Sequence, residues 1–396
     1  MLFEYKNKVL CQILCIILCI LCGFLMFTFN APHFLNIAYA LELPDGQIEV
    51  ACSAQSACVL DVDSGRLFYS KNSTKRLPMA STTKIVTAIT AILNYQDLDT
   101  RVKISPYAVG VEGSSIYLKA GEMLSLRELL YGLMLRSGND AAIAIAHMVA
   151  GGVQPFVEMM NDLAGNLNLK DSHFANPHGL DDPNHYTSAY DLAQITSFAL
   201  NNPVFSEIVK TKNIRICEEE DNYRYLVNKN KLLFNMPDCI GVKTGYTKKA
   251  GRCLVSASEK DDLRVVCVVL NCGPMFEESK ALLNAVQQKY HSVEILEPYH
   301  YYDSIVTNNG EQKSVDVYSR KGFRLPLSNE ELLNINVEYD LPKSIDAPIK
   351  SEQMVGCVKV YYDKHLIFCE NIYTIDGVKS RLLKDKVKDI LNEWSI

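Results

Sequence analysis

The sequence predicts an α+β domain followed by a small all-β domain. Three observations carry that reading. Helix-period segments in the longer first part of the chain are enclosed in sequence by strand-like runs at both ends. Those runs connect through polar turns too short for helical crossovers, which favours an antiparallel sheet with helices over a parallel one. Beyond Tyr290 the texture changes to short alternating segments such as "QKSVDVYS", "NINVEYD" and "CVKVYYDKHLIFCENIYT", as in an all-β fold.

Taken in order, the chain opens with Lys6 and Lys8, an uncharged apolar run from Val9 to Phe29, and Ala38-Tyr39-Ala40 ahead of Leu41. A basic start, an apolar stretch and an A-x-A site form an export signal over residues 1–40. The run is also long enough to span a bilayer if it stays uncleaved. Next, "SACVLDVDSGRLFYSKN" alternates around Asp63-Ser64-Gly65, a strand, turn and strand. "MASTTKIV" starts a helix in which Ile85, Ala88, Ile89 and Ile92 recur at i, i+3, i+4 and i+7. Leu126, Leu129, Leu130 and Leu133 repeat the pattern in a second helix, begun by a capping-box spacing from Ser125 to Glu128.

That helix breaks at "RSGND", and "AAIAIAHMVA" makes a third. "CIGVKTGYT", "GRCLVSASE" and "LRVVCVVLN" then read as an antiparallel meander, and helical "ESKALLNAVQQKY" closes a first domain at residues 43–290. The all-β domain is expected at 295–378. In the last stretch, 380–396, Leu383, Val387, Ile390, Leu391 and Trp394 share one face, with lysines and acids on the other. Such a helix either lies in a membrane interface or packs on its own domain.

Composition narrows the function. With 396 residues, 48% hydrophobic and 22% charged, the chain is ordinary globular protein and not a disordered one. A formal net charge of -6, with no basic stripe interleaved with aromatics, argues against nucleic acid as a partner. Of the 13 cysteines, Cys11, Cys15, Cys19 and Cys22 lie inside the signal. The remainder are an odd set without C-x-x-C spacing, neither a disulfide framework nor a zinc site. Small buried hydrophobes is the role expected of most of them.

Ser81 and Lys84 stand three apart at the start of the first helix, where Cβ atoms lie about 5 to 6 Å from each other. A neutral lysine there takes the serine proton. Because an unperturbed lysine has a pKa of about 10.4, it must be desolvated or set beside another cation to do so. S-x-x-K by itself says little, since capped helix starts with solvated lysines are common. Two further elements change its weight: Ser137-Gly138-Asn139 in the break between two helices, and Lys243-Thr244-Gly245 on a strand before a turn. In this order they make the three-part signature of serine β-lactamases and penicillin-binding proteins. A serine acyl-transferase needs a proton shuttle at the nucleophile, a second polar group facing it, and a cation for the substrate carboxylate. Ser137 suits the relay, Asn139 a bond to the substrate amide or to Lys84, and Lys243 with Thr244 the carboxylate. Gly245 lets the strand backbone approach the substrate.

The likeness extends past the triplets. "LPMASTTKIVTA", "LRSGNDAAIAIAHMVAGG", "FVEMMNDLAGNLNL", "FANPHGLDDPNHYTSAYDLA" and "GVKTGYTKKAGRCLVSAS" resemble the D-alanyl-D-alanine carboxypeptidases of the low-molecular-weight penicillin-binding class. "APIKSEQMVGCVKVYYDKHLI" resembles the β-sandwich domain that follows in that family, and the terminal amphipathic stretch resembles its membrane anchor. The resemblance implies a β-lactamase/transpeptidase-like catalytic domain. It implies Ser81 as the nucleophile that forms an acyl-ester, Lys84 as proton acceptor, Ser137 and Asn139 as the second element, and Lys243 and Thr244 as holders of the terminal carboxylate. The backbone N–H groups of Ser81 and Tyr246 would form the oxyanion hole, each such donor contributing about 3 kcal/mol.

Peptidoglycan stem pentapeptides are the implied substrate, β-lactam antibiotics the covalent inhibitors, and the outer face of the cytoplasmic membrane or the cell wall the place. No metal or organic cofactor is implied, and the diamino acid of the stem peptide is not specified. A class A β-lactamase would carry S-D-N where Gly138 stands, would need a deacylating glutamate, and has no β-domain. A zinc peptidase of the same specificity would call on His173, His178 and His185, whose spacing fits no H-E-x-x-H pattern, so local hydrogen bonding is expected of them. A catalytically silent wall scaffold is the non-enzymatic alternative, and intact Ser81, Lys84 and Lys243 stand against it.

Overall fold

Strand β1 (Ser56–Asp61) turns back into β2 (Leu67–Lys71) because Asp61 caps the turn between them. Its carboxylate accepts the Ser64 N–H at 2.7 Å and the Ser64 hydroxyl at 2.6 Å. Two small hairpins interrupt the helical part that follows: β3 (Arg101–Lys103) with β4 (Met123–Ser125), and β5 (Asn213–Ile216) with β6 (Arg224–Val227). The expected meander is β7 (Cys239–Thr247), β8 (Gly251–Lys260) and β9 (Leu263–Leu270), each antiparallel to the next. Because β9 also pairs with β1, the sheet runs β2-β1-β9-β8-β7 and is antiparallel throughout. The chain is a computed structural model that describes residues 46–217 and 223–382; the expected export signal and almost all of the expected terminal helix lie outside the described residues.

Alternate residues of these strands enter two different cores. Cys58, Leu60, Val255, Val266 and Val268 cluster with helices Lys84–Asn94, Leu126–Arg136, Asn139–Ala150 and Ala189–Leu200. Val59, Leu254, Val265, Cys267 and Val269 cluster instead with Leu282, Leu283 and Val286 of helix Met275–Lys289. Burial on both faces is why "LRVVCVVL" reads as one apolar run with no polar alternation. Six of the described cysteines are buried among these residues, and those described are free thiols.

Local chemistry sets the helix ends that matter. Ser125 and Glu128 form the predicted capping box, with Ser125 Oγ accepting the Glu128 N–H and Glu128 Oε2 accepting the Ser125 N–H. The helix ends where Ser137 turns left-handed, φ 65°, and Asn139 starts the next one. "MASTTKIV" departs from the sequence-based expectation. Ala80–Thr83 winds as a 3₁₀ turn and the α-helix begins only at Lys84, with no side-chain cap.

The all-β part comprises β10 (His291–Leu296), β11 (Tyr301–Asn308), β12 (Ser314–Ser319), β13 (Phe323–Leu327), β14 (Ile335–Asp340), β15 (Ser344–Asp346), β16 (Met354–Tyr362) and β17 (His365–Thr374). Six of these form one sheet, β14-β16-β17-β12-β11-β15, and β10 pairs with β13 in a second. Leu296, Leu325 and Leu327 of the small sheet share a core with Val315, Val317, Val358, Val360 and Ile372 of the large one, which makes a sandwich.

Candidate active site

In a 3₁₀ turn residues i and i+3 eclipse one another, so the turn at Ala80–Thr83 sets Ser81 directly beneath Lys84. Lys84 Nζ donates to Ser81 Oγ at 3.0 Å, to Asn139 Oδ1 at 2.7 Å and to the His178 carbonyl at 2.5 Å. Three acceptors match the three protons of an ammonium. When the amine is neutral, its two N–H groups still serve Asn139 and His178, and its lone pair faces the Ser81 hydroxyl. Lys84 is wholly buried. Burial holds its pKa well below the ordinary lysine value, the neighbouring Lys243 and Lys229 charges push the same way, and Asp140 opposes them.

The S-G-N element fixes that arrangement through its backbone. Asn139 donates its N–H to the Ser114 carbonyl at 2.6 Å and its Nδ2 to the Glu112 carbonyl at 2.6 Å, which leaves Oδ1 aimed at Lys84. Asp140, in the first turn of the same helix, accepts the Ser115 hydroxyl at 2.5 Å and the N–H groups of Ile116 and Leu118. It thereby buckles the segment around residues 112–118 onto the site. Ser137 is buried at this break, yet among the described residues no hydrogen bond ties its hydroxyl to Lys84 or Lys243.

The K-T-G element lies on β7, the edge strand of the sheet. A Cβ at Gly245 would stand 3.0 Å from both the Met79 carbonyl and the Ser81 nitrogen, so a side chain here would press on the turn that carries Ser81 and glycine lets the strand close on it without that crowding. Lys243 is buried and donates to the Thr244 carbonyl at 3.0 Å. Burial, helped by Lys229, pushes its pKa down to about 7. Thr244 is half-buried and Tyr246 stands exposed at the rim. The strand is then tied across the cleft by Thr247, whose hydroxyl donates to Asp181 Oδ1 at 2.9 Å.

Two participants carried no readable signal in the sequence, and a third is a histidine already expected to bond locally. One is the His178 carbonyl, held against Lys84 because Gly179 packs on the 3₁₀ turn. Gly179 has φ 89°, and a Cβ there would come within 2.0 Å of the Ala80 carbonyl. Another is Lys229, whose Nζ donates to Ser114 Oγ at 3.2 Å. The third is His185, which accepts the Ala175 N–H at Nδ1 and therefore donates from Nε2 to Thr83 Oγ1 at 2.7 Å. His173 Nδ1 pairs with the Asn184 carbonyl and His178 Nδ1 accepts the Leu180 N–H, so the three histidines bond locally, as expected. No cluster of three metal-ligating side chains occurs among the described residues.

An antiparallel sheet between helices, with a serine under a buried lysine and a K-T-G edge strand closing on both, defines a serine-type, penicillin-recognising peptidase. The chain belongs to the D-alanyl-D-alanine carboxypeptidase family, whose family model matches residues 44–273, and the C-terminal domain of penicillin-binding protein 5 matches 290–380. It is similar to D-alanyl-D-alanine carboxypeptidase DacF of Bacillus subtilis, 29% identical over 384 residues that cover 95% of this chain and 97% of the relative. D-alanyl-D-alanine carboxypeptidase DacD of Escherichia coli is 32% identical over 389 residues, covering 92% and 96%. Penicillin binding protein 5 from Haemophilus influenzae superposes with a TM-score of 0.69 at 27% identity, over 84% of this chain and 99% of that one.

Proposed function

We propose that the protein is exported and removes the terminal D-alanine from peptidoglycan stem pentapeptides, with Ser81 as nucleophile and Lys84 as its base. The observation that supports it is the hydrogen-bond set of Lys84, which leaves a neutral amine's lone pair directed at Ser81. Ser81 Oγ attacks the carbonyl between the two D-alanines while its proton passes to Lys84. The oxyanion takes the N–H groups of Ser81 and Tyr246, Lys243 and Thr244 hold the terminal carboxylate, and Asn139 orients Lys84. D-Alanine leaves with a proton delivered through Lys84 or Ser137, and water then hydrolyses the acyl-ester. β-Lactams enter the same first step and stay bound. The segment 380–396 attaches the enzyme to the outer face of the membrane.

Release of D-alanine from diacetyl-Lys-D-Ala-D-Ala tests the reaction. Ser81→Ala should abolish both that release and labelling by fluorescent penicillin, and an unchanged rate would refute the mechanism. Removing Ser380 to Ile396 should move the protein to the soluble fraction.

A further inference from the structure

Cys52 and Cys272 stand about 220 positions apart in the chain, yet both thiols meet at one oxygen atom. Cys52 Sγ donates to Glu278 Oε2 at 3.1 Å, and Cys272 Sγ donates to the same oxygen at 3.0 Å. Two bonds that share an acceptor hold the sulfurs within about 6 Å of each other, a gap that χ1 rotation can close. The backbone keeps them there. Gln55 donates its N–H to the Leu270 carbonyl at 3.1 Å, just past the pairing of Ser56 with Leu270, so the β1–β9 ladder runs out between the two cysteines. The Ser53 N–H donates to both oxygens of Glu278, at 2.9 and 3.0 Å, which fixes that carboxylate in the first turn of helix Met275–Lys289. Cys52 is half-buried and open to a small reagent, whereas Cys272 is buried behind it. Burial and the bond to Glu278 push the Cys52 thiol up to about 11 and raise that of Cys272 as well, so both sulfurs carry their protons at neutral pH.

We propose that Cys52 and Cys272 are a modification site, at which the exported protein forms a disulfide that staples the segment ahead of β1 to the end of β9. The bond rests on the export reading above for its oxidising surroundings. A small disulfide of the glutathione class is the oxidant. Cys52, as thiolate, attacks one sulfur of that reagent; the reagent's S–S bond breaks, and one thiol leaves with the proton that Cys52 gave up. Cys272, as thiolate, then attacks Cys52 Sγ, the mixed S–S bond breaks, and a second thiol leaves with the Cys272 proton. The cysteine pair loses two electrons and two protons, which the oxidant gains as two thiols. Glu278 loses both S–H donors and keeps the Ser53 N–H. Because the closed loop is so long, the bond restricts the unfolded chain strongly, and the folded protein should melt several degrees higher.

The test is oxidation of the full chain, purified in detergent, by oxidised glutathione at pH 8, followed by alkylation of the remaining thiols and peptide mapping by mass spectrometry. A linked pair of peptides containing Cys52 and Cys272 is expected, two hydrogens lighter than the separate thiols. Melting temperature should rise with the bond and fall back in dithiothreitol. Cys52→Ser and Cys272→Ala should each lose that oxidation-dependent rise while Ser81 is still labelled by fluorescent penicillin, which shows that the variants fold. Three results overturn the proposal: glutathione left on Cys52 as a stable mixed disulfide, full alkylation of both thiols, or a bond elsewhere in its place. The last has an internal comparison in Cys357 and Cys369, which lie diagonally across β16 and β17. A linked pair in the purified chain, together with a cytosolic location in fractionated cells, would fail the export reading alone.

Discussion

Two lysines buried side by side govern how the site responds to pH. As base, Lys84 is useful only when neutral; as carboxylate holder, Lys243 is useful only when charged. Burial pushes both down, Lys243 to about 7, and Lys84 also feels the charges of Lys243 and Lys229. Catalysis needs the pH range in which Lys84 is neutral while Lys243 is still charged. The expected kcat/KM profile is a bell whose acid limb reports Lys84 and whose alkaline limb, near pH 7 in the free enzyme, reports Lys243, both as apparent values of the pair. Lys243→Met should raise KM and remove the alkaline limb. It should also stabilise the fold. Between its folded pKa and the unfolded value of about 10.4, Lys243 binds fewer protons in the native than in the unfolded chain, so wild-type stability rises with pH across that window. Below it the native state carries the full cost of a buried charge. Thermal melts at pH 6 should therefore show the variant more stable by about 1 to 2 kcal/mol, an active site giving up function for stability.

Among the elements, the 3₁₀ turn at Ala80–Thr83 is the one on which the others converge, β7 from one side through Gly245 and the His178 loop from the other through Gly179. Gly179→Ala puts a methyl group into the Ala80 carbonyl from a left-handed backbone position, so the turn or the loop must shift. The expected cost is about 2 kcal/mol in stability. Acylation by fluorescent penicillin should fall about a hundredfold, as a displacement near 1 Å at a reacting group does. An acylation rate unchanged in a folded Gly179→Ala protein would show that the loop does not position Lys84. Much of this framework is legible in the sequence, because amphipathic periodicity marks helices such as Lys84–Asn94 and because S-x-x-K, S-G-N and K-T-G act through side chains. The 3₁₀ turn is not legible, since spacing of three fits both helix types. Nor is the His178 oxygen, because a backbone carbonyl has no residue signature; its side chain drew attention to zinc while its main chain faced Lys84. The role of Lys229 depends on a contact with Ser114 across 115 positions of sequence that no local pattern encodes.

At the scale of the whole molecule, the sandwich is joined to the catalytic part by a buried charge. Arg66, at the end of the β1–β2 turn, is 2% exposed, donates to the Pro326 carbonyl at 2.5 Å and forks onto both oxygens of Glu331. Its guanidinium also lies over the rings of Phe68 and Tyr290, 5.9 and 5.3 Å from their centroids. Glu331 is shared in turn, since its Oε2 accepts the Ser328 N–H at the start of the one-turn helix Asn329–Leu332. Burial, the largest single influence, would raise the Glu331 pKa, but the bond and charge of Arg66 together with the bonds from Ser328 outweigh it and the net shift is downward, so the pair's contribution is present at neutral pH and lost in acid. Arg66→Ala leaves Glu331 without its partner and should cost about 3 kcal/mol, because breaking one side of a buried pair strands the other. Arg324 with Asp262, on the exposed side of the same junction, contributes little by comparison. Calorimetry separates the two cases. If Arg66 couples the two parts, Arg66→Ala should split one unfolding transition into two, and the double variant with Glu331→Ala should fall less than the sum of the singles. A single, uniformly lowered transition with additive singles would mean that β10, which continues directly from helix Met275–Lys289, is enough to hold the sandwich in place.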